Sequence, residues 1–153
     1  MELNLSRSIV GEFVNCEEMG AFIGALQKEN GEIPWSEGGK TDPWDHSESA
    51  MGLGVAGYID EARHAYEWMK TAQLEDGSWY AALQDGVPDD RRKDANFSTY
   101  IAVGVFHHFL LTNDRDFLRH MWPTVSTGIQ YALSLQAPTG EIYWSIDADG
   151  VVD

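Results

Sequence analysis

The segment Thr41-Asp42-Pro43-Trp44-Asp45-His46-Ser47-Glu48 sets carboxylates, an imidazole and an indole side by side. Two readings fit it. In one, Asp45 caps a helix opening near Glu48, and Glu48 completes a capping-box-like arrangement, since acids favour helix N-termini for electrostatic reasons alone. In the other, Asp45 is a general acid with Glu48 as its partner. A carboxylic acid beside the Trp44 indole in a partly dry funnel has a raised pKa, the condition for donating a proton to a leaving oxygen. His46 then orients one of the acids, or is simply a polar loop residue. Asp42, Trp35 and Trp44 would contact a substrate.

Further along, Asp94 with Asn96, and Asp147 with Asp149, stand at corresponding places and would extend an acidic funnel. Trp79, Tyr80 and Trp144 either offer flat apolar faces to a substrate or lock helix ends. Trp68, Trp122 and Tyr131 fall inside helical patterns and are expected in the core. His107 and His108 are adjacent, so on a helix they point about 100° apart and cannot easily share a metal; one core histidine is expected. Cys16 is the single cysteine. It permits no intrachain disulfide, and its spacing with Phe13, Met19 and Phe22 predicts a small buried hydrophobe. No metal or cofactor is called for.

The elements that must position these groups follow a repeat. A Gln, a Gly four residues later and then a Trp occur at Gln27/Gly31/Trp35, Gln73/Gly77/Trp79 and Gln136/Gly140/Trp144. Each Gly is placed to take the left-handed conformation past a helix end, and each indole to fold back over that end. Apolar spacing predicts helices at about 15–28 (stripe Cys16, Met19, Phe22, Ile23, Leu26), 48–58, 61–72 with Asp60 as cap, and 97–111. A broken partner follows at 115–121 and 123–135, with Pro123 near a helix start. The helices at 48–58 and 97–111 are apolar nearly all round and would be inner. Those at 61–72 and 123–135 are amphipathic and would be outer. The expectation is therefore an all-α fold, a single domain over 1–153, with helical hairpins arrayed side by side and long loops at one end.

The chain carries 10 basic and 25 acidic residues, a net charge of −15, which opposes nucleic acid or an anionic membrane as partner. The basic run Arg91-Arg92-Lys93 is flanked by Asp89, Asp90 and Asp94 and reads as a solvated loop. No apolar run is long enough to span a membrane. The N-terminal residues Met1 to Arg7 lack an export signal, so a cytoplasmic location is expected.

The alternation resembles two related groups that share the α/α toroid. Gln73-Leu-Glu-Asp-Gly77-Ser-Trp79 matches in full the Q-x-x-x-G-x-W repeat of terpene cyclases and prenyltransferases; the copies at Gln27 and Gln136 have two extra residues before the Trp. The stretch from Thr112 through Asp114, Phe117, Trp122 and Pro123 to Val125 is similar to the turn and outer helix of six-hairpin glycosidases, glucoamylase-like enzymes among them. The whole chain also resembles bacterial proteins labelled prenyltransferase. The glycosidase resemblance implies a hydrolase of carbohydrate metabolism acting on a saccharide. Trp44-Asp45 lies where glucoamylase-like enzymes keep a Trp and a Glu general acid, the Asp being one methylene shorter. Two carboxylates about 6.5–9.5 Å apart would serve inversion. The isoprenoid alternative lacks its D-x-D-D motif: Asp147-Ala-Asp149 runs into Gly150-Val151, and Pro88-Asp89-Asp90 lacks the first Asp. A third reading is a non-catalytic half-toroid that binds a ligand or partner. Such rings hold about six hairpins, whereas about five helices are legible here. Phe97, Ile101, Val105, Phe106 and Phe109 would then be left at an open flank, so a homo-oligomer or a missing C-terminal half is expected to cover them.

Overall fold

Two inner helices lie side by side and run in the same direction, and everything else is hung on them. The computed structural model describes residues 15–152. Helix α1 (Cys16–Leu26) is followed by α2 (Pro43–Val55) and α3 (Ile59–Ala72), then by a hairpin of β1 (Ala82–Gln84) and β2 (Val87–Asp90). Strand β3 (Lys93–Asp94) leads into α4 (Ala95–Thr112) and α5 (Arg115–Ser134), and β4 (Ser145–Ile146) lies in the last loop. Helix α2 packs on α1, α3 and α4, and α4 packs on α5. The fold is mainly helical. Among the described residues the only sheets are two antiparallel pairs, β1–β2 and β3–β4.

The outer helices behave as their patterns predict. Ala62, Ala65, Tyr66 and Met69 of α3 are fully buried, as are Phe117 and Met121 of α5. They meet Leu53, Ile101 and Val105 of the inner helices in one core. Asn113 takes a left-handed conformation (φ 54°), and the Asp114 carboxylate accepts from the Asp116 and Phe117 amides to start α5.

Several expectations are corrected. Helix α2 opens at Pro43, not Glu48, because Asp42 rather than Asp45 is its cap, accepting from the Trp44 and Asp45 amides with Pro43 in the first turn. Asp60 does not cap α3; it sits in the first turn after Tyr58. Pro123 is inside a continuous α5 rather than at a helix start, and Trp122 is exposed rather than core. Helix α1 turns Gly20, Ile23 and Gly24 toward α2, with Gly20 against Ala56 and Tyr58, so only part of the expected stripe packs: Ile23 and Leu26 are half-buried, while Cys16, Met19 and Phe22 are exposed. Phe13, its expected neighbour, lies outside the described residues. Of the flank expected to need cover, Ile101 and Val105 are buried within the chain, while Phe106 is exposed.

The Gln–Gly–Trp mark works through its amide more than its indole. Gln27 Nε2 donates to Gly31 O, and Gln73 Nε2 to Gly77 O, each closing a loop whose glycine has φ near +90° (94° and 88°). Only Trp79 seals a helix end as expected: it is 2% exposed and donates to the Met69 carbonyl in the last turn of α3. In the first unit Ile33, six residues after Gln27 as Trp79 is after Gln73, fills that place, and Trp35 is released to the surface.

Candidate functional site

The loops before α2, before α4 and after α5 are stitched together at one end. Thr41 and Leu83 exchange backbone hydrogen bonds of 2.9 and 2.8 Å, Gln84 Nε2 donates to Gly38 O, and β3 pairs with β4. Both inner helices begin there, so the expected common mouth exists.

At the start of α2 the side chains divide the labour. Asp42 is nearly buried; its Oδ1 accepts from the Trp44 and Asp45 amides (2.8 and 2.9 Å), and its Oδ2 accepts from Trp35 Nε1. Glu48 Oε1 accepts from Trp44 Nε1 and from the Tyr100 hydroxyl, both at 2.8 Å. The Trp44 ring stacks on Tyr100 with centroids 4.4 Å apart and 11° between planes, and meets Phe97 edge-on. Both indoles are thus fixed by carboxylates. Asp45 holds neither indole and is exposed. Its carboxyl is pushed above the usual aspartate value, first by partial burial, then by the charge of Asp42 and a side-chain hydrogen bond with it, and last by the charge of Glu48.

Asp45 and Trp35 are shared by two adjoining depressions. One, of about 390 Å³, is lined by Phe22, Ile23, Leu26, Ile33, Pro34 and Ser49 with Asp45 and Glu48. The other, of about 460 Å³, lies between Asp42, Trp44 and Phe97 on one side and Lys40, Asp89, Asp90 and Arg92 on the other. The hairpin is the outer wall. It turns at Asp85-Gly86, both with positive φ (50° and 75°), the two-residue geometry that matches strand twist. Ala81, Ala82 and Arg92 line this groove, while Tyr80, Arg91 and Lys93 line the next one. The basic run is already neutralised in part, Arg92 by Asp90 and Lys93 by Asp76 at 2.6 Å.

The remaining sequence candidates are not in this groove. His46 is fully buried: Nδ1 accepts from the Ile33 amide, Nε2 faces Ala65 O at 2.9 Å, and burial lowers its pKa to about 4. The ring is therefore the neutral Nε2–H tautomer, tying the first loop to α3, and does not orient an acid. Trp79 is buried and offers no face. Asp94 is 3% exposed, with burial, and less so Asp90, raising its carboxyl against the pull of Arg92. Tyr80 and Asp147 line a third depression with Tyr131, and Asp147 is engaged by the Asp149 and Val151 amides. Asn96 and Trp144 line a fourth. Tyr100 and Phe97 were missed as site residues: the apolar run of α4 marks them as core, and only the i, i+3 placement one turn into that helix hints that they reach the mouth.

No protein-family model matches the chain. An MMP endo-(1,4)-3-O-methyl-α-D-mannosidase of Mycolicibacterium hassiacum is 44% identical over 138 residues, which is 90% of this chain and 38% of that protein. The chain thus spans less than two fifths of this relative's length. Among solved structures, a cellobiose 2-epimerase from Bacillus thermoamylovorans superimposes with a TM-score of 0.65 at 18% identity, over 88% of this chain and 39% of the epimerase. An endoglucanase, a family 8 glycosyl hydrolase from Klebsiella pneumoniae, gives 0.65 at 11% identity, over 85% of this chain and 43% of the enzyme. These neighbours are α/α toroids, and the fold here is a section of one. The glycosidase side of the resemblance has counterparts among these proteins; the prenyltransferase side has none.

Proposed function

We propose that the groove around Asp45 binds a saccharide, and that Asp45 is the acid that protonates the glycosidic oxygen as the bond to the sugar breaks. The observation carrying this is the division of labour at the start of α2. Asp42 and Glu48 are occupied in fixing indoles, whereas Asp45, exposed in the groove, holds no indole and has its proton affinity raised, as a general acid requires. Trp44, held on Tyr100, supplies a rigid flat face for a sugar ring, and Trp35 supplies a second at the rim.

The mannosidase relative suggests the substrate class, a 1,4-linked α-mannose chain bearing O-methyl groups. The apolar lining of one depression, Phe22, Ile23, Leu26, Ile33 and Pro34, supports that choice, because methyl ethers replace hydroxyls that such a wall cannot hydrogen-bond. The reaction would be a hydrolysis completed by a second carboxylate as base. Further chain, whether from a second copy or from additional hairpins, would complete the groove. The isoprenoid alternative rests on the Gln73–Gly77–Trp79 match, and that feature serves the architecture: its indole is buried against Met69.

Incubation with O-methylated and unmodified 1,4-α-mannooligosaccharides, read by product chromatography and by the Trp fluorescence of binding, tests the proposal. Binding that quenches fluorescence with no cleavage would leave a non-catalytic saccharide-binding section. Neither binding nor cleavage, for either series, would overturn the proposal.

A further inference from the structure

Among the described residues two seams between successive outer helices are closed and one is open, and the closed pair show what fits the open one. At the first, Gln27 Nε2 donates not only to Gly31 O but also to Glu61 O of α3 at 3.0 Å. Gly31 lies so near α3 that a Cβ there would strike the His64 carbonyl. At the second, Gln73 Nε2 donates to Gly77 O and to Thr124 O of α5 at 3.0 Å, and a Cβ on Gly77 would strike the Thr127 carbonyl. The carbonyl pairs, Glu61/His64 and Thr124/Thr127, have the same spacing of three residues. Each latch therefore engages two carbonyls about one turn apart on the next outer helix, the first as a hydrogen-bond acceptor and the second by close approach.

The third latch has only its own half. Gln136 Nε2 donates to Gly140 O at 2.7 Å, and Gly140 has the same positive φ, 107°. No second helix accepts from Gln136 among the described residues, and the place of a Gly140 Cβ is empty out to 4 Å. Ile142, in the position filled by Ile33 and Trp79 at the closed seams, is exposed. A second feature lies on the inner layer beside it. Helix α4 meets α2 through Phe97, Tyr100 and Leu111. Elsewhere on its surface Thr99, Val103, Phe106 and Leu110 follow the 4-3-4 spacing of a helix-packing stripe, and the last three are exposed.

We propose that this edge is a docking surface for another helical hairpin of the same repeat. Its inner helix would lie on Val103, Phe106 and Leu110, and its outer helix would present two carbonyls one turn apart to Gln136 and Gly140. The proposal deepens the reading that further hairpins complete the groove, and it involves no residue of the Asp45 site, so failure of the chemistry would leave it standing.

The test is the full chain extended after Asp153 by a second copy of its own residues 93–152, which brings the Thr124 and Thr127 carbonyls. Amides 103–110 of the original α4 should exchange hydrogen at least about tenfold more slowly than in the unextended chain, the scale of one hydrogen bond's worth of stability. Gln136→Ala should remove much of that protection from the extended chain and change little in the unextended one, where the side chain serves only its own loop. Phe106→Glu should leave the unextended chain folded by circular dichroism and abolish the protection in the extended one. Equal exchange with and without the extension would overturn the proposal, as would an extension that adds no helical signal. So would light scattering that shows the unextended chain as a dimer that Phe106→Glu dissociates, because a second copy would then fill the face without using the latch.

Discussion

The starts of the two inner helices make an instructive pair. Both open at the same mouth with an aspartate in the cap position, Asp42 before α2 and Asp94 before α4. Asp42 performs the cap, and the acid one turn inside, Asp45, is left for the groove. Asp94 makes no cap hydrogen bond; its Oδ1 is buried without a partner, and the residues behind it are the aromatic Phe97 and Tyr100. Equivalent topology thus produces one chemically available acid and one sequestered acid. Position at a toroid mouth does not make a site. What matters is which carboxylate is relieved of structural duty.

The strongest way to break this comparison is Asp45→Asn. If Asp45 is the acid, cleavage of a 1,4-linked α-mannoside should fall about 10²- to 10⁴-fold. The thermal midpoint should hardly move, since the side chain gives up only a first-turn dipole interaction. Full activity in the variant would remove Asp45 from the mechanism. The pH profile of the unmodified protein should agree: the rate declines as pH rises through the raised pKa of Asp45.

A second test concerns what anchors the α2 start. His46 is buried neutral with a folded pKa of about 4 against an ordinary value of 6.5. The stabilisation from burying it is complete above pH 6.5, where both states are neutral. It is lost as pH falls toward 4, because the unfolded chain takes up the proton first. The full difference is roughly 3 kcal/mol. Urea midpoints measured across that range should drop in the parent and flatten in His46→Gln; parallel slopes would discard the account.

Next in size is Asp42→Ala, expected to cost about 1 kcal/mol as a lost helix cap and to free the Trp35 indole, read as increased Trp35 mobility by fluorescence anisotropy in a Trp35-only background. Its counterpart, Asp94→Asn, should do the opposite and least. It removes a buried carboxylate with an unpartnered oxygen. The raised Asp94 favours the fold at low pH and loses that advantage as pH rises through its folded value, so the substitution should stabilise slightly at neutral pH and leave cleavage intact. A large loss of cleavage with Asp94→Asn would show that the two helix starts are not different after all.

Much of this was legible in the sequence, and the failures have physical causes. The helical repeat, the outer-helix faces and the grouping of Trp35, Asp42, Trp44, Asp45 and Glu48 follow from apolar spacing and local chemistry. Helix α2 starts at Pro43, five residues before its apolar pattern: Trp44, Asp45 and His46 look like loop residues, although Pro43 after an Asp is a helix opening. His46 and Trp79 look like ligand-facing groups until tertiary packing buries them. The Asp85-Gly86 turn carries its own hairpin signal between Leu83 and Val87, masked by the acidic residues around it. For α1, the apolar stripe pointed one way and the glycines the other. Close approach at Gly20 to Ala56 and Tyr58 decided the orientation.

The latches also impose an order in time. Gln27 must wait for Glu61, 34 residues on, and Gln73 for Thr124, 51 residues on. On the ribosome each donor emerges well before its acceptor, so a unit can be fastened only after the following one has left the exit tunnel. Translation-arrested chains of increasing length should therefore gain protease resistance in steps, one when α3 clears the tunnel and another when α5 does. A smooth, stepless gain would mean that the units fold independently of their fastenings.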